Sequence, residues 1–310
     1  MSLDIYLPIA EMSLNIFLLI GMGAGVGFLS GMFGIGGGFL ITPLLIFFNV
    51  PSAIAVGTSA NQVIGSSATG AFSHFKRRTL DIKLGILLVL GGLVGSILGI
   101  QAFSLLRAVG QLDLIIALLY VLLLGGIGIM MAIESFRALM RRHQGRNPVL
   151  KRPGNHNWIL KLPFKVRFRT SMIYVSIIPV LVIGFAVGAL SSIMGIGGGF
   201  VLVPAMIYVL RVPTNIVVGT SLFQVTFVSA FTTVMQAITN QSVDVVLAFL
   251  LMVGGVIGAQ YGTRAGRHLR AEQLRLLMAV LVLAIALRLA FQLFIKPDDL
   301  FNLSLVNLAP

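Results

Sequence analysis

The sequence predicts an all-α polytopic membrane protein. It reads as two inverted-topology repeats with Gly-rich broken helical hairpins, giving about 8–10 membrane segments. The first observation behind this is composition. Of 310 residues, 57% are hydrophobic and 10% are charged, with a mean hydropathy of +1.02. A soluble chain carries roughly 25% charged residues, and a core of this size cannot hide so much apolar surface. The apolar runs are long and continuous, unlike the alternating strands of a β-barrel.

The second observation is an internal repeat. Gly34-Ile35-Gly36-Gly37-Gly38-Phe39, followed by Pro43, returns 161 residues later as Gly195-Ile196-Gly197-Gly198-Gly199-Phe200 with Pro204. Gly57-Thr58-Ser59 and Gln62 return at an offset of 162 as Gly219-Thr220-Ser221 and Gln224. Gly91-Gly92, Gly95 and Gly99 return at 163 as Gly254-Gly255, Gly258 and Gly262. The third observation is loop charge. Lys76-Arg77-Arg78 with Lys83 follows the third segment of the first half, whereas its counterpart Thr239-Asn240-Gln241-Ser242 carries no basic residue. The basic group of the second half comes one loop later, at Arg264, Arg267 and Arg270. Such a shift requires an odd number of crossings per repeat, hence opposite orientations.

Each half divides into five apolar segments, at 14–31, 36–48, 53–74, 82–101 and 111–134, then 172–193, 197–210, 215–237, 243–261 and 272–295. A helix rises about 1.5 Å per residue and needs about 20 residues to cross. The second segment of each half is short, so it forms a hairpin with the first, broken at the glycines. The organisation is a first transmembrane repeat over 1–134, a linker over 135–170 and a second transmembrane repeat over 171–310. Arg137, Arg141, Arg142, Arg146, Lys151, Arg152, Lys161, Lys165, Arg167 and Arg169 crowd the linker, which has no acidic residue between Ser135 and Thr170. It is therefore cytoplasmic, and both termini are periplasmic. Trp158 is a candidate interfacial anchor beside those charges. Asp4 and Glu11, with no early Lys or Arg, argue for a retained first span rather than a cleaved signal peptide.

The formal net charge of +13 sits in loops between apolar spans, so nucleic acid is not the implied partner; membrane lipid is. There is no cysteine, which excludes disulfides, thiolate catalysis and Cys-based metal sites. No paired buried carboxylates, His-Glu-x-x-His run or nucleophile–base arrangement appears, so no enzyme, metal site or cofactor is expected. The glycine runs match neither nucleotide-binding pattern.

What they do offer is backbone. Gly36, Gly37, Gly38 and Phe39 open a short helix, as do Gly197, Gly198, Gly199 and Phe200. The first four N–H groups of a helix lack intrahelical partners, and its dipole favours an anion there. Two such N-termini, one from each inverted half, would meet near the midplane as an anion site. Tight helix packing through glycine is the competing explanation. On the following helices, Ser59, Gln62, Ser66, Thr69 and Ser73 share one face, with Thr58 beside them. Thr220, Ser221, Gln224 and Thr226 form a weaker stripe in the second half. A buried amide is costly unless paired, so Gln62 and Gln224 face either protein or a substrate path. His74 beside Lys76 and Arg288 in the last segment are candidate gating or electrostatic groups, against interfacial and snorkelling roles. Asp81 and Asp244 occupy equivalent helix starts, where a carboxylate caps free N–H groups.

At these repeated stretches the chain resembles the TauE/SafE family of sulfite and organosulfur-anion permeases. The resemblance rests on the two Gly-Ile-Gly-Gly-Gly-Phe runs, Pro43 and Pro204, and the two Gly-Thr-Ser triplets. It implies a bacterial inner-membrane permease that moves a small anion, such as sulfite or a sulfonate. The two repeated breaks, in place of a continuous polar track or charge rings, favour a secondary transporter using alternating access. An anion channel, or a permease for sulfate or a carboxylate, is the alternative. A coupling ion, H+ or Na+, and the oligomeric state stay open at this level.

Overall fold

The structure, a computed structural model, describes residues 4–33, 36–143, 163–168, 170–266 and 271–294. The linker residues 144–162, Trp158 among them, lie outside the described residues. So do Gly34 and Ile35.

Among the described residues, each repeat is a β-hairpin followed by five helices. The first comprises β1 (Asp4–Leu7), β2 (Met12–Asn15), α1 (Ile16–Phe33), α2 (Gly38–Phe47), α3 (Ser52–Lys76), α4 (Ile82–Ala108) and α5 (Leu112–His143). The second comprises β3 (Lys165–Phe168), β4 (Ile173–Ser176), α6 (Ile177–Met194), α7 (Gly199–Tyr208), α8 (Thr214–Thr239), α9 (Val245–Ala265) and α10 (Ala271–Phe294). The ten predicted segments correspond to these ten helices. The two antiparallel hairpins, pairing Asp4 with Asn15 and Lys165 with Ser176, are not legible in the apolar pattern. Helix α5 runs on to His143 and β3 begins at Lys165, so regular structure occupies both ends of the stretch 135–170.

The glycine ladders decide the packing. A Cβ on Gly23 would lie 2.5 Å from Leu251 O, and Gly27 and Gly31 meet the backbones of Gly255 and Ala259 in turn. Both series ascend together, so α1 of the first repeat lies parallel to α9 of the second. Gly91, Gly95 and Gly99 meet Leu181, Phe185 and Ala189 in the same way, setting α4 parallel to α6. Backbones this close exclude any side chain at the contact, the small-residue packing of membrane helices.

Helices α3 and α8, the equivalent members of the two repeats, run antiparallel. Gly57 at the start of α3 touches Ser242 beyond the end of α8, and Gly219 near the start of α8 touches His74 and Thr79 beside the end of α3. Equivalent helices pointing opposite ways are what inverted topology means, and each repeat lends a helix to the other.

Among the described residues, six helices are long and apolar enough to cross a membrane. Helix α3 has the length, at 25 residues, but carries a buried polar face. Helices α2 and α7 have ten residues each, about 15 Å at 1.5 Å per residue. That is about half a bilayer core, so neither is long enough to cross by itself. Exposed Leu90, Val94, Leu122, Phe249 and Val280 give the bundle an apolar exterior suited to lipid. One end carries Lys76, Arg77, Arg78, Lys83 and the β3–β4 hairpin. The other carries the β1–β2 hairpin, Arg107 and Asp113.

Candidate site at the facing glycine turns

Helix α6 stops at Gly195, which is left-handed at φ 71° and donates its N–H to Ser191 O at 2.8 Å. Gly197 and Gly198 follow at φ 72° and 77°, a conformation open to glycine and strained for other residues. Helix α7 then begins with Gly198 as its N-cap, and no side chain caps it. In the first repeat Gly36 has φ 78°, and Gly37, the N-cap of α2, again supplies no side-chain cap. The copies are not identical, since Gly37 is right-handed at φ −67°. Identical sequence thus takes two backbone shapes.

The two turns meet. A Cβ on Gly38 would lie 2.6 Å from Ile196 O of the other repeat. Phe39 and Phe200 stack with ring centroids 5.0 Å apart and planes 18° apart. Val63 and Val225, near the middles of α3 and α8, touch both Gly36 and Gly197. The meeting point is therefore at mid-depth. Ser59 Oγ lies 3.1 Å from Gly195 O and 2.7 Å from Thr42 Oγ1. Tyr120 Oη donates to Met194 O at 2.9 Å. Both side chains of the first repeat thus hold the turn of the second.

Around this point lie buried polar atoms without partners. Both amide atoms of Gln62 and of Gln224 are unpaired, as are the hydroxyls of Ser30, Ser191 and Ser229, and all five residues are at most 1% exposed. Gln62 Nε2 lies 2.5 Å from where a Cβ on Gly255 would stand, and Gln224 Nε2 lies 2.9 Å from that on Gly92. Each amide therefore fits only because its neighbouring helix carries glycine. A buried unpaired polar group costs about 1–3 kcal/mol, so this set is expensive unless something else satisfies it. Ser30 and Ser191 were missed among the predicted residues. Their signal was available: each precedes its Gly-Ile-Gly-Gly-Gly run by four positions.

Other predicted residues go elsewhere. Thr58 Oγ1 accepts from Asp244 N at 3.1 Å, and Thr220 Oγ1 accepts from Asp81 N at 3.1 Å. Asp244 Oδ1 caps α9 through Val246 N and Leu247 N, while its Oδ2 accepts from Ile9 N at 2.9 Å and Ala10 N at 3.4 Å. Asp81 Oδ1 caps α4 through Leu84 N, while its Oδ2 accepts from Ser171 N at 3.0 Å and Ser171 Oγ at 2.7 Å. Thr58 and Thr220 thus belong to two symmetric latches, one at each end, tying a hairpin to the opposite repeat. Ser221 Oγ bonds its own helix at Val218 O. His74 pairs with Thr79 at the basic end, Nδ1 to Oγ1 2.9 Å. Arg288 stands 4.0 Å over the Phe47 ring at the far end of α2. Neither lies beside the glycine turns.

Among the described residues the buried charged side chains are Asp81 and Asp244, both at bundle ends. Mid-depth therefore offers neutral donors, the uncapped N–H groups of α2 and α7 with two amides. Among the described residues no three His, Asp or Glu side chains gather to hold a metal ion. The arrangement suits a ligand that accepts hydrogen bonds.

Comparison with known proteins gives the class. The family description Sulfite exporter TauE/SafE matches residues 19–289. A probable membrane transporter protein of Xylella fastidiosa (strain Temecula1) is 31% identical over 277 residues, 88% of this chain and 94% of the relative. The probable membrane transporter protein YjnA of Bacillus subtilis (strain 168) is 31% identical over 281 residues, 90% of this chain and 100% of the relative. YunE of the same organism is 24% identical over 289 residues, 91% and 98% respectively. No solved structure matches the chain. With two interlocked inverted repeats, an apolar exterior and a family match over nearly its whole length, the chain belongs to the TauE/SafE family of membrane transporters.

Proposed function

We propose that the chain carries a small oxyanion, sulfite or a related sulfonate, across the bacterial inner membrane by alternating access, binding it between the two glycine turns. The observation that carries this reading is the meeting of two glycine turns, each opening a helix with no side-chain cap, among buried side chains without partners: Ser30 beside Gly37, Ser191 beside Gly198, Ser229 beside Gly197, and Gln62 and Gln224 next in sequence to Val63 and Val225, which pack on the turns. A helix N-terminus stabilises an anion by about 0.3–1 kcal/mol at a surface and up to about 2 kcal/mol when partly buried. Two of them, with amide donors, suit three or four oxygens on one small centre. Neutral donors also suit a carrier, because an anion held by a fixed cation is slow to leave. Gly36, Gly37, Gly38, Gly197, Gly198 and Gly199 supply backbone in this reading, Phe39 and Phe200 close the pair of turns, and Ser59 positions the second turn.

The basic end is cytoplasmic and both termini periplasmic in this account, following the positive-inside bias. Motion of one repeat against the other would open the two latches in turn. The test is counterflow in proteoliposomes of the purified protein, with sulfite, sulfonates, sulfate and carboxylates, with and without H+ or Na+ gradients. Saturable exchange of sulfite or a sulfonate supports the reading. Unsaturable unitary currents would replace the carrier with a channel, and exchange of carboxylates alone would move the substrate class.

A further inference from the structure

The two halves of α8 and α3 are equivalent in the repeat but differ in polarity, and the difference lies on one side of the glycine turns. Ser229, Thr232, Thr233, Gln236 and Asn240 follow one face of α8 from mid-depth to the Arg107 end. At the equivalent positions α3 carries Ser67, Gly70, Ala71, His74 and Arg78.

The α8 side chains form a connected line. Arg107 Nη1 donates to Asn240 O at 2.6 Å. Asn240 Nδ2 donates to Gln236 Oε1 at 2.6 Å, and Ser242 Oγ donates to the same oxygen at 3.4 Å. Gln236 Nε2 donates to Ser192 O at 3.0 Å, and Ser192 Oγ lies 3.5 Å from Thr232 Oγ1. Beyond them Ser229 Oγ stands 3.0 Å from where a Cβ on Gly197 would be. Ser229 Oγ and Thr233 Oγ1 are buried without partners. Each amide nitrogen has two N–H donors, and these bonds use one apiece. Toward the basic end, by contrast, the crevice between α3 and α8 is apolar, lined by Ala68, Ala71, Phe72, Phe75 and Phe223 among others.

We propose that this line is the anion's route between the Arg107 end and the central site, with Arg107 at its mouth and Gln236 and Asn240 as exchangeable donors along it. The proposal rests on the anion-carrier reading above. The route is one-sided. Ser229 stands unpaired beside the turn and Thr233 unpaired one helical turn further toward the Arg107 end, donors that the hydrogen-bonded line leaves open to a ligand. An oxyanion entering beside Arg107 trades its water for the second N–H of Asn240, then of Gln236, then for the hydroxyls next to Gly197.

The chain has no cysteine, so single-cysteine variants report one position each. Thr233→Cys and Asn240→Cys are made separately and treated with membrane-impermeant methanethiosulfonates, in vesicles of each orientation. The expected result is labelling of both from the Arg107 side, with the sulfonate-bearing reagent favoured about tenfold over its trimethylammonium counterpart once each rate is divided by that reagent's rate with a free thiol in solution, a ratio within the range of electrostatic focusing. Excess unlabelled sulfonate should slow labelling at position 233. Labelling from the basic side, no labelling, or equal normalised rates for the two reagents would overturn the route. Monodisperse elution of each variant shows that a negative result is not misfolding, and Ser229→Cys is the substitute where one variant fails to fold. Wild-type counterflow, run in parallel, separates the claims: exchange without sided labelling removes the route alone, and no exchange removes the carrier reading.

Discussion

Asp244→Ala breaks one of the two latches, and its cost follows from the partners. Asp244 is fully buried and receives four backbone N–H groups, Val246 and Leu247 from its own helix, Ile9 and Ala10 from the first repeat's hairpin. Loss of the cap costs about 0.5–2 kcal/mol. Ile9 is exposed, so water takes over its N–H at little cost. Ala10 is buried, and its N–H adds about 1–3 kcal/mol when left unpaired. The expected loss is about 1.5–5 kcal/mol in total, summing those two terms. Asp244→Asn should lose less, because its carbonyl oxygen still accepts. The assay is thermal denaturation of the purified protein in detergent, with hydrogen exchange read at residues 4–15. The alanine variant should melt several degrees lower and exchange faster across β1 and β2, with Asp81→Ala acting likewise on β3 and β4. An Asp244→Ala protein with wild-type melting and a protected hairpin would refute the latch and the argument from buried donors.

Gln62→Leu and Gln224→Leu should each raise thermal stability, since about 1–3 kcal/mol of unsatisfied amide is removed, while reducing anion exchange by an order of magnitude or more; lower stability in both variants would show that the amides are paired glue. Tyr120→Phe removes the bond to Met194 O and should lower stability by about 1 kcal/mol, with a larger effect on transport because the turn it holds belongs to the proposed site; an unchanged exchange rate would separate that turn from the mechanism. Gly27→Val forces a side chain into the Gly255 backbone and should abolish folded protein, whereas Gly25→Val, with open space around it, should be tolerated; equal yields of the two would contradict the α1–α9 packing.

Much of the fold is legible in residues that cannot be anything else. Glycine at every fourth position, as in Gly91, Gly95 and Gly99, announces a backbone-to-backbone contact, and loop charges announce orientation. Which helix each ladder meets is a tertiary fact: α1 pairs with α9 of the other repeat, and no local pattern names that partner. The hairpins escaped for a different reason. Asp4–Leu7 and Lys165–Phe168 occupy equivalent positions yet share no residue, so only their common offset links them. Polarity placed Thr58 and Thr220 on the site's helices, but a hydroxyl on a helix face does not reveal its acceptor or donor. Here it is the backbone N–H of a capping aspartate. Gln62 and Gln224 were visible because an amide amid apolar residues must be explained, and the structure leaves them unpaired, next in sequence to Val63 and Val225, which pack on both turns.

The central claim is that an oxyanion binds between the glycine turns. A structure of the protein with selenite, an analogue of sulfite located by its anomalous signal, tests it most directly. The account predicts one site at mid-depth, within hydrogen-bonding distance of backbone N–H groups in Gly36–Phe39 and Gly197–Phe200 and of Gln62 or Gln224, and lost in Gly198→Val. Selenium bound at Arg288, His74 or the hairpin latches, with the glycine turns empty, would contradict it.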